Sequence, residues 1–353
     1  MEEHTHKRRV RYSGTHPKKF SEKYKEHQPE QYGDTIKKVV QKGSTPAGMH
    51  LSICVTEIID FLQIKPGQKG LDATLGYGGH TKAMAKCLEG QGHLYALDVD
   101  PIELVKTRER LKQNGYGEEI LTVLEENFAN LDKVAKTHGK FDFLLADLGV
   151  SSMQIDNPER GFSYKIEGLL DLRLNPQKGI SAANRLQEID EGELCGMLRE
   201  NADEVYAQEI AAELVKQRAK GSRITTTSQL ADCIEQVVLS QKDVMCGSKM
   251  VQKELVKKSC QRTFQALRID VNQEFEVLYQ FLEKLPDSME QDGRIVILTF
   301  HSGEDRLVKK SFKQLYQAGI YKEIATQVIR PSREECIQNP RARSTKMRWA
   351  IKA

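Results

Sequence analysis

Short apolar segments alternate with helix-like segments between residues 69 and 150, and this alternation restricts the fold more than any other feature of the chain. Four of the apolar segments have the composition and length of strands: KGLDATL (69–75), HLYALDVD (93–100), ILTVLEEN (120–127) and FDFLLADLGV (141–150). Strands that are separated by helices form βαβ units, which build a parallel sheet. Two further strand patterns follow near the C-terminus, GRIVILTF (293–300) and TKMRWAIKA (345–353). The sequence therefore predicts an α/β fold.

The pattern changes after residue 152. Residues 181–240 have helical spacing, Thr226-x-x-Gln229 has the pattern of a capping box, and the polar residues 240–250 predict a loop. One long helix is then predicted from a single apolar stripe of Phe264, Leu267, Val271, Phe275, Leu278 and Leu282. We therefore predict one α/β domain, residues 49–152 and 259–353, interrupted by a helical insertion, residues 153–258, and preceded by an extension, residues 1–48.

Charge is distributed unevenly along the chain. Residues 1–49 carry a net charge of +5 and the remainder carries −2, for a total of +3. A basic arm suits a polyanionic partner such as nucleic acid, although a solvated tail without a partner has the same composition. The charge pattern thus leaves both interpretations open.

The seven cysteines are widely scattered and include no C-x-x-C pair. This excludes a zinc ribbon and argues against a disulfide framework, so we expect a protein of the reducing cytoplasm. No apolar run is long enough to span a membrane, and the N-terminal residues lack the apolar core of a secretory signal.

The first predicted strand leads into the glycine-rich loop Gly76-Tyr77-Gly78-Gly79-His80. Glycines let an adenosine-bearing ligand approach the backbone, although a plain tight turn also uses them. Asp98 ends the second strand 19 residues beyond Gly79, where a carboxylate can hydrogen-bond a ribose diol. The dinucleotide pattern G-x-G-x-x-G fails because Thr81 occupies its last position, and no P-loop motif occurs. The favoured cofactor is S-adenosylmethionine, with Phe128 either stacking on its adenine or packing in the core.

Asp147 ends the fourth predicted strand, directly after an apolar run. In an open α/β sheet ligands bind at the carboxyl ends of the strands, so this side chain is expected to face the glycine-rich loop. A buried carboxylate without a partner is costly, which favours a functional role. Capping of a neighbouring turn is the structural alternative.

Several long motifs resemble those of the RsmH/MraW family, from about residue 50 to the C-terminus: DATLGYGGHT, ALDVDP, FDFLLADLGVSSMQIDNPERGFS, LDLRLNP, CQRTFQALRIDVNQE, ILTFHSGEDRLVK and NPRARSTKMRWA. The resemblance implies a class I S-adenosylmethionine-dependent methyltransferase of Rossmann-like fold with a helical insertion domain for substrate recognition. It further implies methylation of the exocyclic N4 of a cytidine, position 1402 in the usual numbering, in 16S rRNA. The implied partner is that rRNA, free or within the small ribosomal subunit, with no membrane partner.

The resemblance also implies roles for single residues. The cofactor would contact Gly78, Gly79 and His80 at its methionine end, Asp98 at its ribose, Phe128 at its adenine, and Asp147 and Gln154 in the pocket. Four arginines in matching motifs are candidate RNA contacts, although surface salt bridges would explain each of them equally well: Arg262, Arg268, Arg341 and Arg343. The chain departs from the family pattern at Tyr77, usually glycine, at Gly303, usually leucine, and in its basic extension, which indicates a divergent subgroup.

The sequence also narrows the type of methyl transfer. No cysteine follows proline or threonine, as the nucleophile of a cytosine C5 methyltransferase commonly does, and no Pro-Pro motif of DNA amino-methyltransferases occurs. Direct transfer to a weakly nucleophilic amine remains, for which the enzyme must position the amine and accept hydrogen bonds from its N–H groups. Asp147 is the first candidate acceptor and His301, after the fifth strand, is the second. No ligand cluster in the sequence suggests a metal.

Two other functions stay open. One is a methyltransferase that acts on another RNA or on a small molecule, and the other is an RNA-binding ribosome-assembly protein without catalysis. The intact set of Gly78, Gly79, Asp98 and Asp147 argues against the second.

Overall fold

The structure, a computed structural model, describes residues 52–353, with only the backbone of Ser152; the predicted extension, residues 1–48, lies outside the described residues. Its strands are β1 (Lys69–Asp72), β2 (His93–Asp98), β3 (Leu121–Glu125), β4 (Phe141–Asp147), β5 (Met289–Thr299), β6 (Tyr321–Ile324) and β7 (Lys346–Lys352). They form one sheet in the order β3-β2-β1-β4-β5-β7-β6. The strands β1 to β5 pair in parallel, whereas β7 is antiparallel to both β5 and β6.

The helices are α1 (Val55–Leu62), α2 (Gly79–Cys87), α3 (Pro101–Gln113), α4 (Leu131–His138), α5 (Ser152–Asp156), α6 (Ala182–Glu188), α7 (Glu191–Ala202), α8 (Ala207–Ala219), α9 (Thr227–Leu239), α10 (Lys242–Met245), α11 (Lys249–Asn272), α12 (Glu274–Lys284), α13 (Ser302–Gln317) and α14 (Arg333–Gln338). Short 3₁₀ turns lie at Phe128–Asn130, Pro158–Arg160, Pro286–Ser288 and Pro340–Ser344. Among residues 52–353, none of the helices combines the length and the apolar character that crossing a membrane requires.

Both faces of the sheet are covered by helices. In β4, Phe143 and Leu145 belong to the apolar core shared with α1, α2 and α3, whereas Leu144 and Ala146 belong to the core shared with α4, α12 and α13. A parallel strand that is buried on both faces is apolar along its length, which is why the β4 segment stands out in the sequence. The polar residue that breaks this run, Asp147, therefore marks the edge of the sheet.

The helices between β4 and α12 form a separate apolar core, made of buried residues from Leu170 to Leu267. The capping box at the start of α9 is confirmed, because the Thr226 side chain accepts from the backbone N–H of Gln229 and the Gln229 side chain accepts from that of Thr226. The predicted α/β fold with a helical insertion is confirmed. The domain limits at residues 153 and 258 stay a prediction.

The single long helix predicted across the apolar stripe is wrong, because the chain forms two helices there. Gln273, between α11 and α12, has a left-handed φ of 51°. The side chain of Asn272 is tied to the insertion, since it accepts from the backbone N–H of Leu174 and donates to the carbonyl of Leu172, both at 2.7 Å. Residues of the stripe in α11 pack in the core of the insertion, whereas Leu278 and Leu282 in α12 pack in the core against the sheet. The apolar stripe therefore belongs to two separate cores.

The polar segment 240–250, predicted as a loop, contains the short helix α10 and the first residues of α11. Ser248 caps α11 by accepting from the backbone N–H of Val251 at 3.4 Å. The edge strand β6 was not predicted, because four residues with two exposed charges at their centre carry little strand signal.

Candidate active site

The glycine-rich loop lies between β1 and α2, at the carboxyl edge of the sheet. Gly76 and Gly78 have left-handed φ angles of 47° and 79°, which L side chains rarely adopt. A Cβ at Gly78 would lie 2.9 Å from Cγ2 of Thr107, and the Thr107 hydroxyl donates to the carbonyl of Gly76 at 2.7 Å. Glycine is therefore required at Gly78 by both backbone and space and favoured at Gly76 by its backbone, and α3 packs against the loop.

Asp98, at the end of β2, holds the glycine-rich loop from the other side. Its Oδ2 accepts from the backbone N–H of Gly76 at 2.8 Å, and its Oδ1 accepts from that of Asp100 at 2.9 Å. Burial raises the pKa of Asp98 to about 6, although these two hydrogen bonds oppose the rise. Each oxygen retains a second lone pair, so the carboxylate can hold the loop and also accept from a ligand hydroxyl.

His80 and Asp147 form a contact pair at the start of α2 and the end of β4. Nε2 of His80 lies 2.9 Å from the carbonyl oxygen of Ile53, which can only accept, so Nε2 carries a proton. Nδ1 lies 3.4 Å from Oδ2 of Asp147. The imidazole ring of His80 therefore faces the carboxylate of Asp147.

The other carboxylate oxygen of Asp147 is a candidate ligand contact. Oδ1 is buried and has no hydrogen-bond partner among the described residues. Burial raises the pKa of Asp147 to about 6, His80 opposes the rise, and the neighbouring carboxylates of Asp72 and Glu304 add to it. A buried acceptor without a donor is costly, so this oxygen suits a hydrogen-bond donor or a cation supplied by a ligand.

Asp72, at the end of β1, was not identified as a site residue from the sequence. It is fully buried, and its Oδ2 accepts from the Thr81 hydroxyl at 2.6 Å. Its Oδ1 accepts from the backbone N–H of Thr74 at 3.1 Å, and the Thr74 hydroxyl accepts from that of Asp147 at 2.7 Å. Asp72 thus supports the ends of β1 and β4, and the only signal in the sequence was an acidic residue at a strand end.

Asp100 was also missed, although it organises the loop that follows Asp147. Its carboxylate is completely buried and accepts from Arg160 at 2.6 Å and from the side chain of Gln154 at 2.8 Å. It also caps α3 by accepting from the backbone N–H of Ile102 at 3.1 Å. The side-chain amide oxygen of Gln154 accepts from the backbone N–H of Ser151 at 2.8 Å. Gln154, predicted in the cofactor pocket, is thus held between two protein partners.

Phe128 follows β3 and is half-buried. Its ring meets the ring of Phe281 edge to face, with the centroids 5.1 Å apart. One edge of the ring packs in the core, as one part of the prediction has it. Part of the ring stays accessible, so stacking on an adenine stays a prediction.

His301 caps α13 beside the end of β4, since β4 pairs with β5. Its Nε2 lies 3.1 Å from Oε1 of Glu304, whose other oxygen accepts from the backbone N–H of Phe300 at 2.8 Å. Burial opposes ionisation of Glu304, but His301 and Arg268 hold its pKa below the usual range. His301 is thus close to the site but already faces a carboxylate.

Gly303, where the family usually has leucine, lies directly against Phe275. A Cβ at this position would lie 2.5 Å from Cζ of Phe275. The ring of Phe275 also contacts His301, with the centroids 5.8 Å apart. Phe275 therefore fills the space that a leucine side chain would need.

Replacing Gly303 by leucine is expected to lower the free energy of unfolding by about 1–3 kcal/mol, because it overpacks this contact. Chemical denaturation measures the loss. In the double variant with Phe275→Ala, the two losses should not add, since removing the ring opens the space. Simple additivity would contradict the proposed steric cause.

The four candidate RNA-binding arginines lie in different surroundings. Arg268 donates from two nitrogens to Glu274, at 2.7 and 2.8 Å, as the salt-bridge alternative predicts. Arg341 donates to Asp156 at 2.7 Å. Arg262 is half-buried and Arg343 is exposed. Glu274 approaches His301 and Glu304 closely enough to complete a metal site, but Arg268 already balances its charge.

The chain is similar to known proteins over most of its length. A model of the MraW methylase family matches residues 47–353. The chain is 67% identical to ribosomal RNA small subunit methyltransferase H 1 of Lachnoclostridium phytofermentans, over 100% of this chain and 94% of that protein. It is 63% identical to the protein of the same name from Agathobacter rectalis, over 100% of this chain and 99% of that one. Ribosomal RNA small subunit methyltransferase H of Koribacter versatilis is 38% identical, over 86% and 94%.

Proposed function

The chain belongs to the MraW methylase family, and we propose that it transfers a methyl group from S-adenosylmethionine to the exocyclic N4 of cytidine 1402 in 16S rRNA. The relatives are named as methyltransferases of the small-subunit rRNA. The observation that carries the proposal is Oδ1 of Asp147, a buried acceptor without a partner among residues 52–353, at the carboxyl edge of the sheet. A reducing, cytoplasmic setting fits this substrate and the seven free cysteines.

The described residues fit S-adenosylmethionine. Gly76 and Gly78 leave two positions of the loop without side chains, and Asp98 has lone pairs left for a ribose diol. Asp147 offers a negative oxygen to a cationic or N–H-bearing group. When bound, the cofactor supplies an electrophilic methyl group on a sulfonium sulfur.

The protein's contribution to the reaction is to orient the amine and to accept its proton. The lone pair of cytidine N4 is delocalised into the ring, so accepting hydrogen bonds from its N–H groups raises its nucleophilicity. We assign this role to Oδ1 of Asp147. With the cofactor bound as methyl donor, the amine would lose one N4 proton to this carboxylate, and Nδ1 of His80 lies 3.4 Å from its other oxygen. His301 is the second candidate, because Glu304 already occupies one side of its ring.

Replacing Asp98 by alanine is expected to weaken S-adenosylmethionine binding by about 1–3 kcal/mol, the usual scale for hydrogen bonds to a charged group. Isothermal titration calorimetry measures the change. Asp142→Ala is the matched control. Asp142 also accepts a hydrogen bond from a backbone N–H, that of Lys69 at 2.8 Å, but it lies near the start of β4, at the edge of the sheet away from the candidate site. Equal affinities of the two variants would remove Asp98 from the cofactor site, and a thermal shift with NAD instead would exclude S-adenosylmethionine.

Mass spectrometry of rRNA nucleosides tests the function in the cell. A strain without the gene should lack N4-methylcytidine at the decoding-region site, and wild type but not Asp147→Asn should restore it. If the modification persists in the deletion strain, the substrate is another RNA or a small molecule. If purified protein binds rRNA but transfers no methyl group, the protein is a binding factor.

A further inference from the structure

The segment from Lys242 to Arg262 differs in charge from the rest of the folded chain. It contains six basic and two acidic residues, a net charge of +4, whereas the other residues from 50 onward sum to −6. This positive segment comprises α10, the following turn and the first half of α11. A local charge opposite to that of its surroundings points to an anionic partner.

Three lysines of α11 form a row along its exposed side: Lys249, Lys253 and Lys257. They are four residues apart, which places them on one face with a rise of about 6 Å between neighbours. Lys258 lies beside the row and is also exposed. On the opposite side of the helix, Leu255 is partly buried and packs against the core of the insertion. We call these four lysines the basic stripe.

Ion pairs neutralise only part of the basic stripe. Glu254 lies 3.0 Å from Lys257 and 3.9 Å from Lys258. Among the described residues, Lys249 and Lys253 have no acidic partner within 4 Å. Exposed lysines that are not paired remain available to bind phosphate groups.

The helix α11 connects the basic stripe to the candidate active site. Arg268 is 15 residues beyond Lys253, a distance of about 22 Å along the helix axis. It pairs with Glu274, which lies beside His301 and Glu304. The basic stripe and the candidate active site are therefore joined by one helix, and an RNA that contacts both has to extend over about this distance.

We propose that the basic stripe binds the phosphate backbone of the RNA substrate, at a distance from the methylated base. This proposal rests on the proposed function and adds a substrate-binding surface to it. An anionic membrane would be a different partner for lysines. It would need a broad apolar face on the same helix, but the exposed apolar residues here are confined to one end, at Met245, Met250 and Val251.

The test compares the triple variant Lys249→Gln/Lys253→Gln/Lys257→Gln with a matched control of equal charge change, Lys309→Gln/Lys310→Gln/Lys313→Gln. The control lysines are exposed on α13, which packs on one face of the sheet and not in the insertion. Binding of the full chain to a 16S rRNA transcript is measured between about 50 and 300 mM salt, a range over which the Debye length becomes markedly shorter. Cofactor titration and thermal unfolding of each variant report whether it is folded.

In the stripe variant, we expect rRNA affinity to fall about tenfold or more at 0.1 M salt and the slope of log K against log salt to decrease by about 2, since each lost phosphate contact removes roughly 0.7–0.9. The control variant should match wild type. Equal binding by both variants would overturn the proposal, as would loss of binding to phosphatidylglycerol vesicles with rRNA binding unchanged. If the wild-type protein binds rRNA through the basic stripe but forms no N4-methylcytidine, the proposed function is wrong and the proposed RNA-binding surface is retained.

Discussion

Replacing Asp147 by asparagine is expected to slow methylation by about 10²- to 10⁴-fold, the usual contribution of a well-placed proton acceptor. The amide keeps the shape of the side chain but cannot take up the amine proton. The loss should appear in the rate and not in RNA affinity, because the proton moves only as the reaction proceeds. Single-turnover formation of N4-methylcytidine at saturating cofactor and rRNA measures it.

The pH dependence gives a second readout of the same carboxylate. Burial raises the pKa of Asp147 to about 6, against an ordinary value of 3.8, with His80, Asp72 and Glu304 as its charged neighbours. Below its pKa the carboxyl is protonated and cannot accept, so the wild-type rate should rise with pH through this range. A cation bound nearby would move the midpoint lower. Asp147→Asn should lose the rise.

Two variants separate the possible acceptors. His301→Ala should retain more activity than Asp147→Asn, because His301 already faces Glu304. If His301→Ala loses the rate and Asp147→Asn keeps it, the acceptor is His301. If both keep it, neither side chain accepts the proton, and positioning by the backbone must account for catalysis.

The sequence predicted the edge of the sheet at which the candidate site lies, because a general rule of the fold applies there. Asp98 and Asp147 end β2 and β4, the two strands that flank β1, and the carboxyl ends of parallel strands meet at one edge. The glycine-rich loop follows β1 at the same edge. The strand alternation was recognisable because β1 and β4 are largely buried on both faces.

The residues that were missed depend on contacts between distant segments. Asp100 is two residues after the predicted site residue Asp98, but its role requires Arg160 and Gln154, which are 60 and 54 positions away in the sequence. The break at Gln273 depends on Asn272 reaching Leu172 and Leu174, about 100 positions earlier. The spacing of residues along the chain does not contain this information. The apolar stripe continues across the break because its two halves pack in different cores.

Replacing Asp100 by alanine is expected to lower the free energy of unfolding by about 3–5 kcal/mol, the largest stability change that we predict. Arg160 is 5% exposed and would keep a positive charge without its carboxylate partner, although the carbonyls of Arg173 and Leu174 would still accept from it. The change also removes the cap of α3, worth about 1 kcal/mol. Urea denaturation measures the loss.

Two further variants show whether the unpaired charge of Arg160 causes the loss of stability. Glu213→Ala removes a carboxylate from an exposed pair, with Lys216 at 2.8 Å, and should cost no more than about 1 kcal/mol. The double variant Asp100→Ala/Arg160→Leu removes both charges and should recover part of the loss, since a buried charge without a partner costs more than an apolar side chain of similar size. If the double variant is no more stable than Asp100→Ala, the cap and the Gln154 contact carry the effect. In either case the loop after Asp147 loses its anchor, so cofactor affinity of the folded protein should fall together with stability.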